Sequence, residues 1–105
     1  MYLSGTVVGG EDLRESQFQS KVIKFLKEKG VWHVKYWAGN QYTKEGIPDI
    51  LACIDGVFHG IELKTDVGQP SKLQLYNMRK IKDSGGEAYL LRPKDFEDWK
   101  VRWFD

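Results

Sequence analysis

The chain carries the stretch GIPDILACIDGVFHGIELK at residues 46–64. Two apolar runs in this stretch flank the dipeptide Asp55-Gly56. An Asp-Gly pair in that setting predicts a β-hairpin closed by a two-residue turn. With these two residues at the centre of the turn, Ile54 pairs with Val57, and that register fixes every other pair. We therefore expect an antiparallel hairpin over nearly the whole stretch.

The same register brings acidic side chains together. Asp49 falls opposite Glu62, and directly opposed carboxylates lie about 5 Å apart and repel each other. A divalent cation between them stabilises such a pair, because hard cations such as Mg²⁺ bind carboxylate oxygens at about 2.1 Å. Lys64, two residues past Glu62, points to the same face of its strand. Solvated strand-end acids and an edge lysine are the alternative, but the convergence predicts a metal-dependent site that cleaves phosphodiester bonds.

Two further polar residues lie on helical faces that should pack inward. Glu15 precedes Phe18 on the apolar stripe of a predicted helix, so it either forms a capping box with Asp12 or directs a carboxylate toward the hairpin. Gln74 either forms a capping box with Ser71 or points its amide toward the sheet. The sequence leaves both pairs of alternatives open.

The remaining pattern predicts a mixed β-sheet flanked by helices, an α/β fold in one domain spanning residues 1–105. In chain order we expect a loose tail (1–10), a helix (12–29), a strand (31–38), the hairpin (48–64), a helix (70–84), a strand (87–91) and a terminal helix (95–102). Cys53, the single cysteine, excludes an internal disulfide framework and should be a buried thiol. We find no signal peptide and no membrane-length segment, so we expect an intracellular protein without a membrane partner.

The net charge of +1 does not by itself indicate a partner. Local groups indicate a DNA partner, although solvated surface lysines are the alternative. The N-terminus of the second helix is a natural phosphate anchor, and the candidate DNA contacts are Lys44, Gln69, Ser71 and Lys72. Most aromatic side chains should fill the core or an interface, and the candidates for stacking on bases are Tyr36, Trp37 and Tyr42.

Pro48-Asp49 followed by Glu62-Leu63-Lys64, with Glu15 on one helix and Gln74 on another, resembles the PD-(D/E)XK nuclease superfamily. More narrowly, the glycines around these residues resemble the VRR-NUC group over residues 15–92; they are Gly46, Gly56, Gly68 and Gly86. The resemblance implies a restriction-endonuclease-like core that uses Mg²⁺ or Mn²⁺ to cleave DNA.

By position, the resemblance makes Asp49 and Glu62 metal ligands and Lys64 the catalytic lysine, and the backbone carbonyl of Leu63 could supply a further metal ligand. It makes Glu15 the helical acid, which could contact the metal through water, and Gln74 a supporting amide. Whether Glu15 or the neighbouring Glu11 is the helical acid stays open, although Glu15 has the better helical phase.

Short stand-alone members of the group, common in phages and prophages, form homodimers that nick branched DNA such as four-way junctions. The chain resembles that type, which would place it in the cytoplasm of a bacterial host. The aromatic C-terminal segment, with Trp99, Trp103 and Phe104, is a candidate dimer interface. The competing hypothesis is a non-catalytic DNA-binding or assembly module that retains the nuclease fold.

Overall fold

The secondary structure follows the predicted order of elements. The structure is a computed structural model that describes residues 10–37 and 44–105, with side chains from residue 14 onwards. Its elements are α1 (Gly10–Glu28), β1 (His33–Lys35), β2 (Ile50–Ile54), β3 (Val57–Leu63), α2 (Lys72–Asp83), β4 (Glu87–Leu91), a 3₁₀ turn (Pro93–Asp95) and α3 (Phe96–Phe104).

The four strands form one mixed sheet in the order β1-β2-β3-β4. β2 is antiparallel to both β1 and β3, whereas β4 is parallel to β3 because the connection between them passes through α2. The predicted α/β architecture is therefore confirmed, and it is consistent with a restriction-endonuclease-like core.

The central hairpin has the predicted register. Ile54 pairs with Val57, and Ile50 pairs with Ile61. Asp55 and Gly56 both have positive φ angles, of 51° and 81°. A type I′ turn requires this combination, and Asp-Gly adopts it readily.

The apolar core lies between one face of the sheet and helices α1 and α3. Every second residue of β2 points into it, and it comprises Phe18, Val22, Leu26, Ile50, Ala52, Ile54, Ile61, Leu63, Leu91 and Trp99. The other face of β3 carries Gly60 and Glu62, and α2 packs against that face.

Gly60 lets two neighbours approach the sheet closely. A Cβ at this position would lie 2.8 Å from Cδ1 of Ile81 on α2 and 3.0 Å from Cγ of Pro48. The 2.8 Å contact is shorter than real Cβ contacts and the 3.0 Å contact is tighter than most of them, so the absence of a side chain lets Ile81 and Pro48 pack closely here. The acid that follows it, Asp49, is thereby held at the start of β2.

Several sequence predictions need correction. Cys53 is exposed, because it alternates away from the core face and α2 does not cover its end of the hairpin. β1 is shorter than the predicted strand over 31–38, since pairing with β2 ends at Lys35, and Ala38 itself lies outside the described residues. α1 begins at Gly10, so Asp12 lies inside the helix.

The ends of the other elements agree more closely. Ser71 caps α2 and β4 has its predicted bounds, whereas α3 starts after a 3₁₀ turn and continues to Phe104. Residues 1–9 of the predicted tail and Tyr42 lie outside the described part of the chain. Within 10–37 and 44–105, no helix has the length and apolar character needed to cross a bilayer.

Candidate active site

Glu62 is the centre of a polar cluster on the α2 side of the sheet. β3 carries it with 1% of its side chain exposed. Its Oε2 accepts a hydrogen bond from Nε2 of Gln74 at 2.7 Å, and Nζ of Lys64 lies 3.4 Å from the same oxygen. Its Oε1 is buried without a hydrogen-bond partner in the part of the chain that the structure describes. The carboxylate is thus held through one oxygen, which leaves the other for a ligand.

The surroundings make this carboxylate costly to ionise. Burial raises the pKa of Glu62 from 4.5 to about 7, and the nearby Asp49 charge adds to the increase, while Lys64 lowers the pKa. Glu15 contributes a smaller increase in the pKa. A bound cation offsets both the burial and the like charge, because it interacts favourably with the ionised form only.

Asp49 lies at the bend just before β2. Its Oδ2 accepts a hydrogen bond from the backbone N–H of Leu63 at 2.8 Å. Burial raises the pKa of Asp49, and the Leu63 N–H, Lys64 and Lys35 oppose that increase. The N–H and C=O of a strand residue point toward the same neighbouring strand, so the Leu63 carbonyl also points to the Asp49 side.

The predicted ladder pair between Asp49 and Glu62 does not form, because the β2–β3 ladder ends at Ile50 and Ile61. Continuing the register would place Leu63 opposite Pro48, which has no N–H to donate to the Leu63 carbonyl. The Leu63 N–H donates to the Asp49 carboxylate. The two acids interact through their charges at one end of the hairpin.

Gln74 both forms the capping box with Ser71 and points its amide toward the sheet. Its Oε1 accepts from the N–H of Ser71 at 2.7 Å, while the Ser71 hydroxyl accepts from the N–H of Gln74 at 3.1 Å. That reciprocal pair is the capping box. The amide nitrogen at the other end of the same side chain reaches Glu62.

Glu15 lies beside the cluster from the α1 side. It lines a cavity of about 260 Å³ together with Ser16, Gln19, Lys35 and Asp49. Because α1 begins at Gly10, Asp12 is not its N-cap, and the proposed Asp12–Glu15 capping box is wrong. The side chain of Glu11 lies outside the described residues.

Gln19 and Lys35 are neighbours of the site that were not predicted from the sequence. A signal existed for Gln19, which lies four residues after Glu15, one helical turn away. Lys35 is placed by its pairing with Ile50, which directly follows Asp49, and only the structure reveals that pairing.

The candidate DNA contacts lie around the same end of the sheet. Gln69 and Lys72 are exposed beside the start of α2, and the Ser71 hydroxyl is used by the helix cap. Lys44 is exposed as well, and its backbone N–H donates to the hydroxyl of Tyr36 at 2.7 Å.

The available donor atoms fit a magnesium site that has few protein ligands. Among the residues described, no three His, Cys, Asp or Glu side chains are grouped to hold a metal ion. Asp49, Oε1 of Glu62 and the Leu63 carbonyl remain as donors. Mg²⁺ is commonly held by one or two carboxylates and keeps several waters, so this set suffices.

The family model that matches this chain is described as the archaeal Holliday junction resolvase (Hjc), and the match covers residues 12–105. The chain belongs to this family. The Hjc family is PD-(D/E)XK nuclease-like, so the broader resemblance is confirmed, while the narrower VRR-NUC resemblance stays a prediction. The comparisons found no match among curated proteins and none among solved structures.

Proposed function

We propose that this protein is an endodeoxyribonuclease that depends on Mg²⁺ or Mn²⁺, hydrolyses phosphodiester bonds in branched DNA such as four-way junctions, and acts as a homodimer. Membership of the Hjc family supports a nuclease that acts on Holliday junctions. The observation that supports the proposal most strongly is the cluster of Asp49, Glu62 and Lys64 at one end of the hairpin, with one Glu62 oxygen left unpaired.

Asp49, Oε1 of Glu62 and the Leu63 carbonyl would hold the ion, with Glu15 contributing through water. When bound, the ion polarises a phosphate oxygen and lowers the pKa of water. Lys64 places an ammonium group 3.4 Å from Glu62, where it can orient the attacking water and stabilise negative charge that develops on the phosphate. Gln74 fixes the Glu62 carboxylate through Oε2 and so directs Oε1 outward.

The phosphate backbone would meet the start of α2. Helix N-termini present unpaired N–H groups and a partial positive charge to anions. Lys72 and Gln69 are exposed there, and Gln74 links that helix end to Glu62. Lys44 would contact the backbone from the β1 side.

For the homodimer, the C-terminal aromatic segment is a poor candidate. Trp99 is buried, and Trp103 and Phe104 pack against the core, so Val101 is the one widely exposed apolar side chain of α3. These rings serve the fold of the subunit itself.

The outer face of the hairpin is a better candidate interface. Trp32 and Val34 lie on the face of the sheet away from α1 and α3, beside Cys53 and Leu51, and Phe58 pairs with Cys53. Trp32, Val34 and Phe58 are all exposed. Apolar side chains exposed side by side across three strands are typical of an interface, and a two-fold dimer pairs one such patch with its own copy. We name Trp32, Val34, Cys53 and Phe58 the outer apolar face.

A nuclease panel tests the proposed function. Linear, flapped and four-way DNA would be incubated with Mg²⁺ or Mn²⁺, and we expect cleavage of the branched substrates that disappears in EDTA. Glu62→Ala should reduce cleavage to background, whereas the matched variant Glu97→Ala, at an exposed acid on α3, should cleave normally.

The competing function, a non-catalytic DNA-binding module, predicts binding of the same DNA without cleavage under any of these conditions. Cleavage that survives Glu62→Ala would overturn the site assignment. A non-catalytic module would be expected to lack one of the three cluster residues. Asp49, Glu62 and Lys64 are all present in this chain, which argues against that function.

A further inference from the structure

Trp37 is an exposed tryptophan at the edge of the candidate active site. It is 69% exposed. Most aromatic rings of α1, β4 and α3 pack against one another. Trp37 takes part in no ring–ring or cation–π contact with any residue that the structure describes. Its indole is therefore available to a flat partner from outside the subunit.

Backbone pairing places Trp37 close to the acids. The β1–β2 register pairs Lys35 with Ile50, and just past this last ladder pair the N–H of Tyr36 donates to the carbonyl of Asp49 at 2.8 Å. Trp37 is the next residue along the chain. Strand alternation continued from Lys35 would put it on the same side as Lys35, which lines the cavity shared by Glu15 and Asp49.

Positive charge flanks the same position. Lys35 lies two residues before Trp37, and its charge acts on Asp49. Lys44 is held nearby, because its backbone N–H donates to the Tyr36 hydroxyl at 2.7 Å. An exposed aromatic ring between lysines is the arrangement that binds nucleic acid by stacking on a base while the cations contact the phosphates.

We propose that Trp37 stacks on a base of the DNA substrate at the branch point, beside the phosphate that is cut. The inference rests on the proposed function and adds a residue that distinguishes branched from continuous DNA. In an uninterrupted duplex every base is covered by its neighbours on both faces, so an indole finds no free surface. At a branch the stack is interrupted, and an exposed base face can be covered by the ring.

Binding measurements with three variants test the stacking. Affinity for a four-way junction and for a continuous duplex of the same length would be measured in EDTA, so that no strand is cut. Loss of base–aromatic stacking should weaken junction binding by about 5- to 100-fold in Trp37→Ala and Trp37→Leu. Trp37→Phe, which keeps an aromatic face, should stay within a few-fold of the parent. Duplex binding should be the same in all four proteins.

Fluorescence gives a second readout that does not depend on affinity. Trp32 is also exposed, at 63%, but it lies on the outer apolar face. Junction DNA should quench the emission of Trp32→Phe as it does that of the parent. The quenching should be largely absent in Trp37→Phe.

The stacking inference would be overturned if Trp37→Leu bound the junction as tightly as the parent, or if junction DNA still quenched the emission of Trp37→Phe. In either case, cleavage by the parent would leave the proposed function intact. A parent protein that neither binds nor cuts branched DNA would overturn both. Lower affinity of Trp37→Leu for the junction, with unchanged affinity for the duplex, would support stacking by Trp37. An unchanged melting temperature would show that the variant is folded.

Discussion

The amide nitrogen of Gln74 lies 2.7 Å from Oε2 of Glu62, while the amide oxygen of the same side chain accepts from the N–H of Ser71. One side chain therefore joins the first turn of α2 to the buried acid of β3. The orientation of the amide is fixed by its partners, since an N–H acceptor must be an oxygen and the carboxylate needs a donor. The helix cap and the position of the candidate catalytic acid are set together.

Gln74→Glu separates these two roles. A glutamate retains an oxygen for the Ser71 N–H but places a second carboxylate against Glu62, where like charges repel. We expect cleavage to fall at least about 10-fold, while the bond to the Ser71 N–H is kept. Gln74→Ala should remove both hydrogen bonds and lower the free energy of unfolding by about 1 to 2 kcal/mol. Single-turnover cleavage and urea unfolding measure the two effects, and full activity in Gln74→Glu would contradict the role given to the amide.

The metal-free protein should become more stable when Glu62 loses its charge. The pKa of Glu62 rises from 4.5 to about 7 on folding, so the folded state binds the proton more tightly than the unfolded chain. Its stabilising contribution is complete below pH 4.5 and is lost as the pH rises through 7. At pH 8 in EDTA, Glu62→Gln should therefore increase the free energy of unfolding by about 1 to 3 kcal/mol.

The matched control for that experiment is Glu97→Gln at an exposed position, which should change little. Urea unfolding of both variants at pH 5 and pH 8 measures the difference. If EDTA alone caused a large fall in the melting temperature of the parent, the ion would be structural, and this assignment of Glu62 would need revision.

His59 should make the protein sensitive to acid. It is buried on the core face, and its Nδ1 lies 2.8 Å from the hydroxyl of Tyr89. The indole N–H of Trp99 also donates to that hydroxyl. Burial lowers the pKa of His59 below 6.5, with Glu87 opposing the change.

Because the pKa of His59 is lower in the folded state, its neutral form contributes stability that is present above pH 6.5 and is lost as the pH falls below that value. His59→Phe removes the titrating group. We expect the difference in unfolding free energy between the parent and His59→Phe to shift in favour of the variant between pH 7.5 and pH 5. A difference that is constant with pH would contradict a buried neutral histidine.

The proposed dimer interface predicts a monomer when the outer apolar face carries charge. Phe58→Glu places a carboxylate opposite Cys53, at the centre of that face, and a desolvated unpaired charge is unfavourable. Gel filtration with light scattering should detect the change in mass. Val67→Glu, at an apolar side chain that is 73% exposed elsewhere, should leave the mass unchanged. A dimer that persists in Phe58→Glu would exclude this interface.

The hairpin could be predicted from the sequence because its information is local. Asp55-Gly56 fixes the turn, the turn fixes the register, and the register places Glu62 and Lys64 on one face. The cap of α2 is equally local, since Ser71 and Gln74 satisfy each other across three residues.

The features that could not be predicted from the sequence depend on contacts between distant segments. Cys53 is exposed because no helix of the described residues covers its part of the outer apolar face, and the alternating pattern of β2 does not reveal this. The bond between Asp49 and the Leu63 N–H depends on the ladder stopping at the Ile50–Ile61 pair. The cavity that joins Glu15 to Lys35 is lined from α1, from β1 and from the residue before β2, which are distant in the sequence. Neighbouring residues in the sequence carry no signal for any of these.

β3 is bonded to a partner strand on each side, to β2 along one edge and to β4 along the other. The backbone of such an inner strand is released only when the ladders on both sides break. Glu62 lies one residue past the β2 ladder and within the β4 ladder, so its backbone should unfold together with the sheet. Denaturant should abolish DNA cleavage in the same cooperative transition that unfolds the sheet. At no lower denaturant concentration should the protein be folded but inactive.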